Sequence, residues 1–373
     1  MRIGIITFHA SDNCGSMLQA YMLQHVLEKY KGIETNIINF SNEKQHELYS
    51  IFVNVRSTRD VLRNVLRFIL YPILKKEQIG FRKFRRYYKL TEKSYRNSSE
   101  MKNLDGQYDV FVCGSDQIWN FKAGDYDDAY FLDFVSKSKK IAYAVSLGQA
   151  HLNDTIEHEQ KYRKLLSDFD SISVREFKSQ GLVQSISNVP VHVCLDPTFL
   201  ADSCDYEEIM PKERIIKERY IFCYAFYYHK QFCDNVLSLS KRLDLPVYMM
   251  DRKQYYIKRV FKTSIKITPL TGPEAFLNIF KNAEMIFTTS FHGTAFSTIF
   301  KKKFWYLNET GGEGDGRATS LLRQLGLMNR YVTPEELRQK SDLQEPIDYS
   351  NVYEKLNKLR ESSFDFIEKN ILK

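Results

Sequence analysis

Short apolar runs alternate with longer stretches of helical periodicity along most of this chain, and that alternation admits few folds. A strand that feeds a helix and returns to a parallel neighbour specifies an α/β architecture with parallel sheets. The first unit is the plainest. Arg2–Phe8 predicts a strand, residues 9–16 a polar loop and Met17–Lys29 a helix, with Leu18, Tyr21, Met22, His25 and Val26 near helical spacing. Gly32 closes that helix, and Thr35–Phe40 returns as a second strand. Further strands are expected at 108–113, 140–145, 171–174 and 191–194, with a helix over 154–169.

A second series starts at Tyr220–Tyr224. It continues through a helix at 230–243, a strand at 246–250, a helix at 273–282, a strand at 285–289, a helix from Phe291 and a strand at 304–307. Two such series in 373 residues imply two domains with a site in the cleft between them. The change from apolar runs to Asp, Glu, Lys and Pro near 202–218 puts the boundary there: a first domain at 1–205 and a second at 206–345. Residues 346–373 read as a C-terminal helix able to pack back on the first domain. Residues 56–95 read as a basic, amphipathic helical insertion on the first domain, with Val61, Leu62, Val65, Leu66, Phe68 and Ile69 interleaved with Arg59, Arg63 and Arg67. Its simplest packing puts the apolar face on the domain and the cations in water; the other is contact with an anionic membrane surface.

Composition narrows the function classes. With 43% hydrophobic and 27% charged residues the chain is globular rather than disordered or fibrous. The net charge of +8 fits an anionic substrate, an anionic membrane or nucleic acid, but no nucleic-acid module accompanies it. Six scattered cysteines without a CxxC pair point away from a metal site and from a disulfide framework. The N-terminus is a strand rather than a signal peptide, and no window of about 18 residues is uninterruptedly apolar, so a cytoplasmic location without a membrane span is expected.

In open parallel sheets ligands bind beyond the carboxyl ends of the strands, where loops lead into helix N-termini. Four such loops carry suitable residues. The loop 8–16 offers Asp12, Asn13, Gly15 and backbone N–H groups for an anion. Residues 113–120 bring Ser115, Asp116, Gln117 and Trp119, denser in polar and aromatic groups than a connector needs. Leu195-Asp196-Pro197-Thr198 reads as a rigid turn. Thr288–Thr294 sets Ser290 at a helix start and His292 in its first turn, with Gly293 allowing a close approach. A glycine-rich segment, Gly311–Arg317, reads as a mobile loop whose Arg317 can clamp a carboxylate or phosphate.

In their order these motifs resemble the polysaccharide pyruvyl transferase family. The resemblance runs from Gly4-Ile5 through Asn13, Gly15 and Leu18-Gln19-Ala20-Tyr21 to Val112–Asn120, Ser173-Val174-Arg175-Glu176, Leu195–Thr198 and Ser290–Thr294. It implies two Rossmann-like domains facing a cleft, similar to the glycosyltransferase-B fold. It also implies transfer of pyruvate from phosphoenolpyruvate to a sugar of a surface polysaccharide or its lipid-linked precursor, with no cofactor beyond the phosphoenolpyruvate donor. On that reading His292 acts as acid or donor contact and Asp116, or less readily Asp12, as base. Asn13, Gly15, Arg175, Ser290, Gly293, Thr294 and Arg317 hold the donor, and Asp12, Ser115, Gln117 and Trp119 the acceptor. Some family members carry an arginine two positions before the histidine, where this chain has Ser290; Arg317, Lys301 or Lys302 would then supply the positive charge. The competing readings are a glycosyltransferase using a nucleotide sugar, with Asp251 as a ribose contact, and a non-catalytic carbohydrate-binding protein that would tolerate loss of His292.

Overall fold

The computed structural model describes residues 1–148, 150, 155–309 and 316–373. Its strands are β1 (Arg2–Ile6), β2 (Glu34–Ile37), β3 (Val110–Cys113), β4 (Lys139–Val145), β5 (Ser171–Val174) and β6 (Val191–Val193), then β7 (Ile221–Tyr224), β8 (Val247–Met249), β9 (Lys266–Ile267), β10 (Met285–Thr288), β11 (Lys303–Leu307) and β12 (Tyr331–Val332). They form two six-stranded sheets, ordered β2-β1-β3-β4-β5-β6 and β12-β11-β10-β7-β8-β9. Every pairing is parallel. Parallel strands covered on both faces read as continuous apolar runs, and β3 (VFVC) and β10 (MIFT) are buried at all four positions.

Strand order carries information about ligands. In the first sheet the chain steps from β1 to β2 on one side and then to β3 on the other. In the second it runs β7, β8, β9 outward and then returns to β10 on the opposite side of β7. The topological switch points therefore lie between β1 and β3 and between β7 and β10, where crevices open at the carboxyl ends of doubly wound sheets.

The chain divides into two compact units. Unit 1 comprises Met1–Asn64, Arg85–Ala201 and Asn357–Lys373; unit 2 comprises Val65–Phe84 and Asp202–Leu356. The expected insertion on the first domain is thus shared out, and its second helix, Tyr71–Phe84, groups with unit 2. The reason is local packing: Leu74, Phe81 and Phe84 of this helix are buried, and Glu77 Oε1 accepts from the Arg252 amide at 3.1 Å. The last residues group with unit 1 through side-chain bonds to its backbone and to Ser171. Ser363 Oγ accepts from Leu195 N (2.9 Å), Arg360 donates to the carbonyls of Phe199 (2.6 Å) and Ala201 (2.9 Å), and Ser171 Oγ donates to Asn370 Oδ1 (2.8 Å). Among the described residues no helix is long and apolar enough to cross a membrane.

Candidate active site

Beyond β1 the chain turns sharply at Thr7, whose carbonyl accepts from the His9 amide at 2.8 Å, so the expected strand stops two residues early. Asn13 caps the helix Cys14–Glu28, its Oδ1 accepting from the amides of Gly15 (2.9 Å) and Ser16 (3.2 Å). Those two N–H groups, expected to face an anion, are engaged by the cap. One turn further on, Gln19 ties the switch point together: its Nε2 donates to Thr7 Oγ1 (2.9 Å) and its Oε1 accepts from Ser115 N (3.0 Å).

The loop after β3 is held tightly. Gly114 has φ +123°, and a Cβ there would lie 2.0 Å from the Tyr143 carbonyl oxygen, so glycine alone fits. Ser115 is fully buried, donating through Oγ to the Ala144 carbonyl (2.6 Å). Asp116 adopts a left-handed φ of 71°, a conformation that costs a non-glycine residue free energy and concentrates at functional sites. Its Oδ2 accepts from Ser16 Oγ at 2.5 Å, and its Oδ1 faces Arg175 Nη2 at 3.8 Å. Arg175 in turn donates through Nη1 to Asp196 Oδ2 (2.7 Å) and through Nε to Glu176 Oε1 (3.0 Å).

One guanidinium therefore sits among three buried carboxylates. Burial works against the charge of Arg175, but Glu176, Asp196 and Asp116 outweigh it and raise its pKa. Burial also raises the pKa of Asp125, with the nearby Asp116 adding to the effect, and raises that of the Tyr49 phenol beside Asp125, Asp116 and Asp12. Beside β1, burial holds His9 neutral with its pKa lowered to about 4. The switch point of unit 1 is thus acidic and rich in hydroxyl groups.

At the switch point of unit 2, β10 leads into the helix Phe291–Ile299, all of whose residues are buried. Ser290 stands at the N-cap without a side-chain capping bond, its amide donating to Thr288 Oγ1 (3.0 Å). A Cβ on Gly293 would lie 1.9 Å from Thr288 Oγ1, so this glycine admits the strand's threonine. Thr294 Oγ1 bonds back to the Ser290 carbonyl (3.3 Å). His292 lies in the first turn, 6% exposed, its ring edge-on to Phe291 at 5.2 Å. The ends of the neighbouring strands β7 and β11 are followed by His229 Nε2 at 3.2 Å from Glu309 Oε1, and by Arg317 over the Phe226 ring at 5.8 Å. Burial raises the Glu309 pKa against the opposing influence of His229.

These contacts sort the sequence candidates. Asp12, Asn13, Gly15, Ser115, Asp116, Gln117 and Arg175 gather in unit 1; Ser290, His292, Gly293, Thr294 and Arg317 in unit 2. Trp119, expected at the acceptor, is instead core: it is fully buried, stacked on Phe131 at 4.6 Å, and donates to the Tyr130 carbonyl (3.1 Å). Ser115 is likewise sealed from solvent. Gln117 is half-buried and accepts from Asn120 Nδ2 (3.1 Å). Lys301 and Lys302 follow the far end of the helix Phe291–Ile299, about 13 Å along its axis from Ser290, too far to replace an arginine there. Asp251 caps the helix Arg252–Ile257. The glycine-rich residues 311–315 lie outside the described residues; Arg317 itself is half-buried in the first turn of the helix Gly316–Leu325.

Sequence reading gave no role at the site to Ser16, Tyr49, Asp125, Glu176 or the His229–Glu309 pair. Ser16 and Asp116 are 100 positions apart, and nothing local marks them as partners.

All but the last of the ordered motifs converge on the Asp116–Arg175 network, and the last forms the switch-point helix of unit 2. The family model for polysaccharide pyruvyl transferase matches residues 13–310, which takes in every one of these motifs from Asn13 onward. The chain belongs to the polysaccharide pyruvyl transferase family. No curated protein shows significant similarity to this family member. Among solved structures it is similar to UDP-GlcNAc 2-epimerase from Neisseria meningitidis bound to UDP-GlcNAc, with TM-score 0.52 and 10% identity over 99% of this chain and 100% of that one. It is also similar to the Methanocaldococcus jannaschii UDP-GlcNAc 2-epimerase in complex with UDP-GlcNAc and UDP, with TM-score 0.51 and 14% identity over 96% and 94%. At such identities the likeness is one of fold: two parallel-sheet, Rossmann-like units of the glycosyltransferase-B-like kind.

Proposed function

We propose that this family member transfers pyruvate from phosphoenolpyruvate to two hydroxyls of one sugar in a surface polysaccharide or its lipid-linked precursor, forming a cyclic ketal inside the cell. A proton delivered to the methylene carbon of the enol leaves an oxocarbenium-like centre at the adjacent carbon. One sugar hydroxyl adds there and gives up its proton. Phosphate departs with its bonding electrons, and the second hydroxyl adds and loses its proton. The reaction asks for an acid, a base near the hydroxyls, and positive charge for the donor.

The observation that carries the reading is the Asp116 carboxylate, held in a left-handed turn by Ser16 Oγ and faced by Arg175 within a network of family motifs. Asp116 is the base in this proposal. Arg175 is a positioning residue rather than a donor contact, because Asp196 and Glu176 already occupy two of its edges. An acidic crevice suits a neutral sugar better than a polyanionic donor. The donor is therefore assigned to groups of unit 2: His292 as acid or donor contact, and the half-buried Arg317 for the carboxylate or phosphate.

A thermal-shift titration tests this. A ligand that binds only the native state raises the melting temperature by mass action. Phosphoenolpyruvate should stabilise the wild type, and the shift should shrink in His292→Ala and persist in Asp116→Asn. A UDP-sugar that shifts the protein where phosphoenolpyruvate does not would sink the proposal in favour of glycosyl transfer.

A further inference from the structure

The helix Thr58–Ile69 is packed inside out. Val61, Leu62, Val65, Leu66, Phe68 and Ile69 are 42–72% exposed, while the one buried residue of the helix is Arg67. The simplest expectation, an apolar face on the protein and cations in water, is reversed. At about 100° per residue the six apolar side chains fall within an arc of about 160°, and Arg59 and Arg63 stand just beyond one margin. A half-helix of large apolar residues facing water is an interaction surface.

Charge says what covers it. Between Arg56 and Arg86 there are ten Lys or Arg against two acidic residues, a net +8, and the whole chain carries +8. The entire basic excess is therefore concentrated in 31 consecutive residues, and the remainder of the chain is balanced. Arg56, Arg59, Arg63, Lys76, Arg82 and Lys83 of this stretch are exposed. A second copy pressed on the same face would bring another +8 against the first. An anionic bilayer matches both halves of the feature, taking the apolar arc into the headgroup–acyl boundary and attracting the cations to its phosphates.

We propose that Thr58–Ile69 is an interfacial helix that docks this protein on an anionic phospholipid surface. Docking stands independently of the donor chemistry; only its use, presenting the site to a lipid-linked acceptor, rests on the pyruvyl-transfer reading.

The test is co-sedimentation of the full chain with vesicles of phosphatidylcholine alone or with about one third phosphatidylglycerol. The wild type should partition at least about tenfold more onto the anionic vesicles and be largely released by about 0.5 M salt. Leu62→Glu/Phe68→Glu and Arg59→Gln/Arg63→Gln, both at exposed positions, should each lose about tenfold in partitioning with an unchanged melting temperature. Wild-type protein left in the supernatant at low salt would overturn the proposal, as would undiminished binding by Leu62→Glu/Phe68→Glu. So would a wild-type dimer in light scattering that this double variant converts to monomer. The phosphoenolpyruvate titration is read on the same variants, so loss of docking and loss of donor binding are separate results.

Discussion

Replacing Arg175 by methionine is the sharpest test of the buried network. The guanidinium is 2% exposed and lies 2.7 Å from Asp196, 3.0 Å from Glu176 and 3.8 Å from Asp116, whose own side chains are 0%, 4% and 7% exposed. Removing it leaves up to three carboxylates without their counter-charge, and breaking a buried ion pair from one side costs about 3–5 kcal/mol. For a unit of about 200 residues that is a fall of roughly 6–20 °C in the transition reporting unit 1. The loss depends on pH with a fixed sign. A buried carboxylate deprived of its partner resists ionisation, so the variant's deficit is full at neutral pH and shrinks as pH falls toward about 5 and a proton replaces the lost cation. Restoring charge balance should do the same at pH 7: Arg175→Met/Asp196→Asn should be more stable than Arg175→Met. The assay is calorimetry of the three proteins at both pH values. A single variant that melts within about 2 °C of wild type, or a double variant no better than the single, would refute the assignment of Arg175 as the hub of this network.

Asp116→Asn should keep the fold, since the amide can still accept from Ser16, while lowering turnover about 10²–10⁴-fold in a phosphate-release assay with acceptor present. Gly293→Ala should destabilise unit 2 by about 1–3 kcal/mol through the overlap with Thr288, read as a lower denaturant midpoint, and Thr288→Ser should leave most of that loss in place because Oγ1 is the nearest atom. His9, with its pKa lowered from 6.5 to about 4 by burial, contributes stability that is present above pH 6.5 and lost as pH falls through 4. His9→Gln should therefore flatten the stability profile between those limits by up to about 3 kcal/mol, measured by urea unfolding at a series of pH values.

The alternation of strands and helices was legible because parallel strands buried on both faces leave an unmistakable apolar run, and β3, β4, β7 and β10 lie within a residue or two of their expected positions. The motif loops were legible as loops at strand ends. What each residue does there was not. Trp119 looked like a sugar platform, yet an indole can also fill a core if its N–H finds a carbonyl, and Tyr130 supplies one. Arg175 looked like an anion contact, but its partner Asp196 sits 21 residues away on another strand end, and only the sheet order brings them together. The helix Thr58–Ile69 misled in a third way. Amphipathic spacing gives the width of an apolar face and not its direction, so a pattern that ordinarily signals inward packing was equally compatible with a face turned outward.

The division of the chain into interleaved units bears on how it is made. Unit 1 draws on three separate segments, and the last of them, Asn357–Lys373, supplies bonds to Leu195, Phe199 and Ala201 and the Asn370 contact to Ser171. During synthesis on the ribosome its sheet, β1–β6, is out of the exit tunnel long before that segment. The Asp116–Arg175 network then lacks these bonds along its β6 flank while residues 202–356, the larger part of unit 2, are translated. A stop codon or an unfavourable fusion near residue 357 would leave the first unit without the segment that closes this flank.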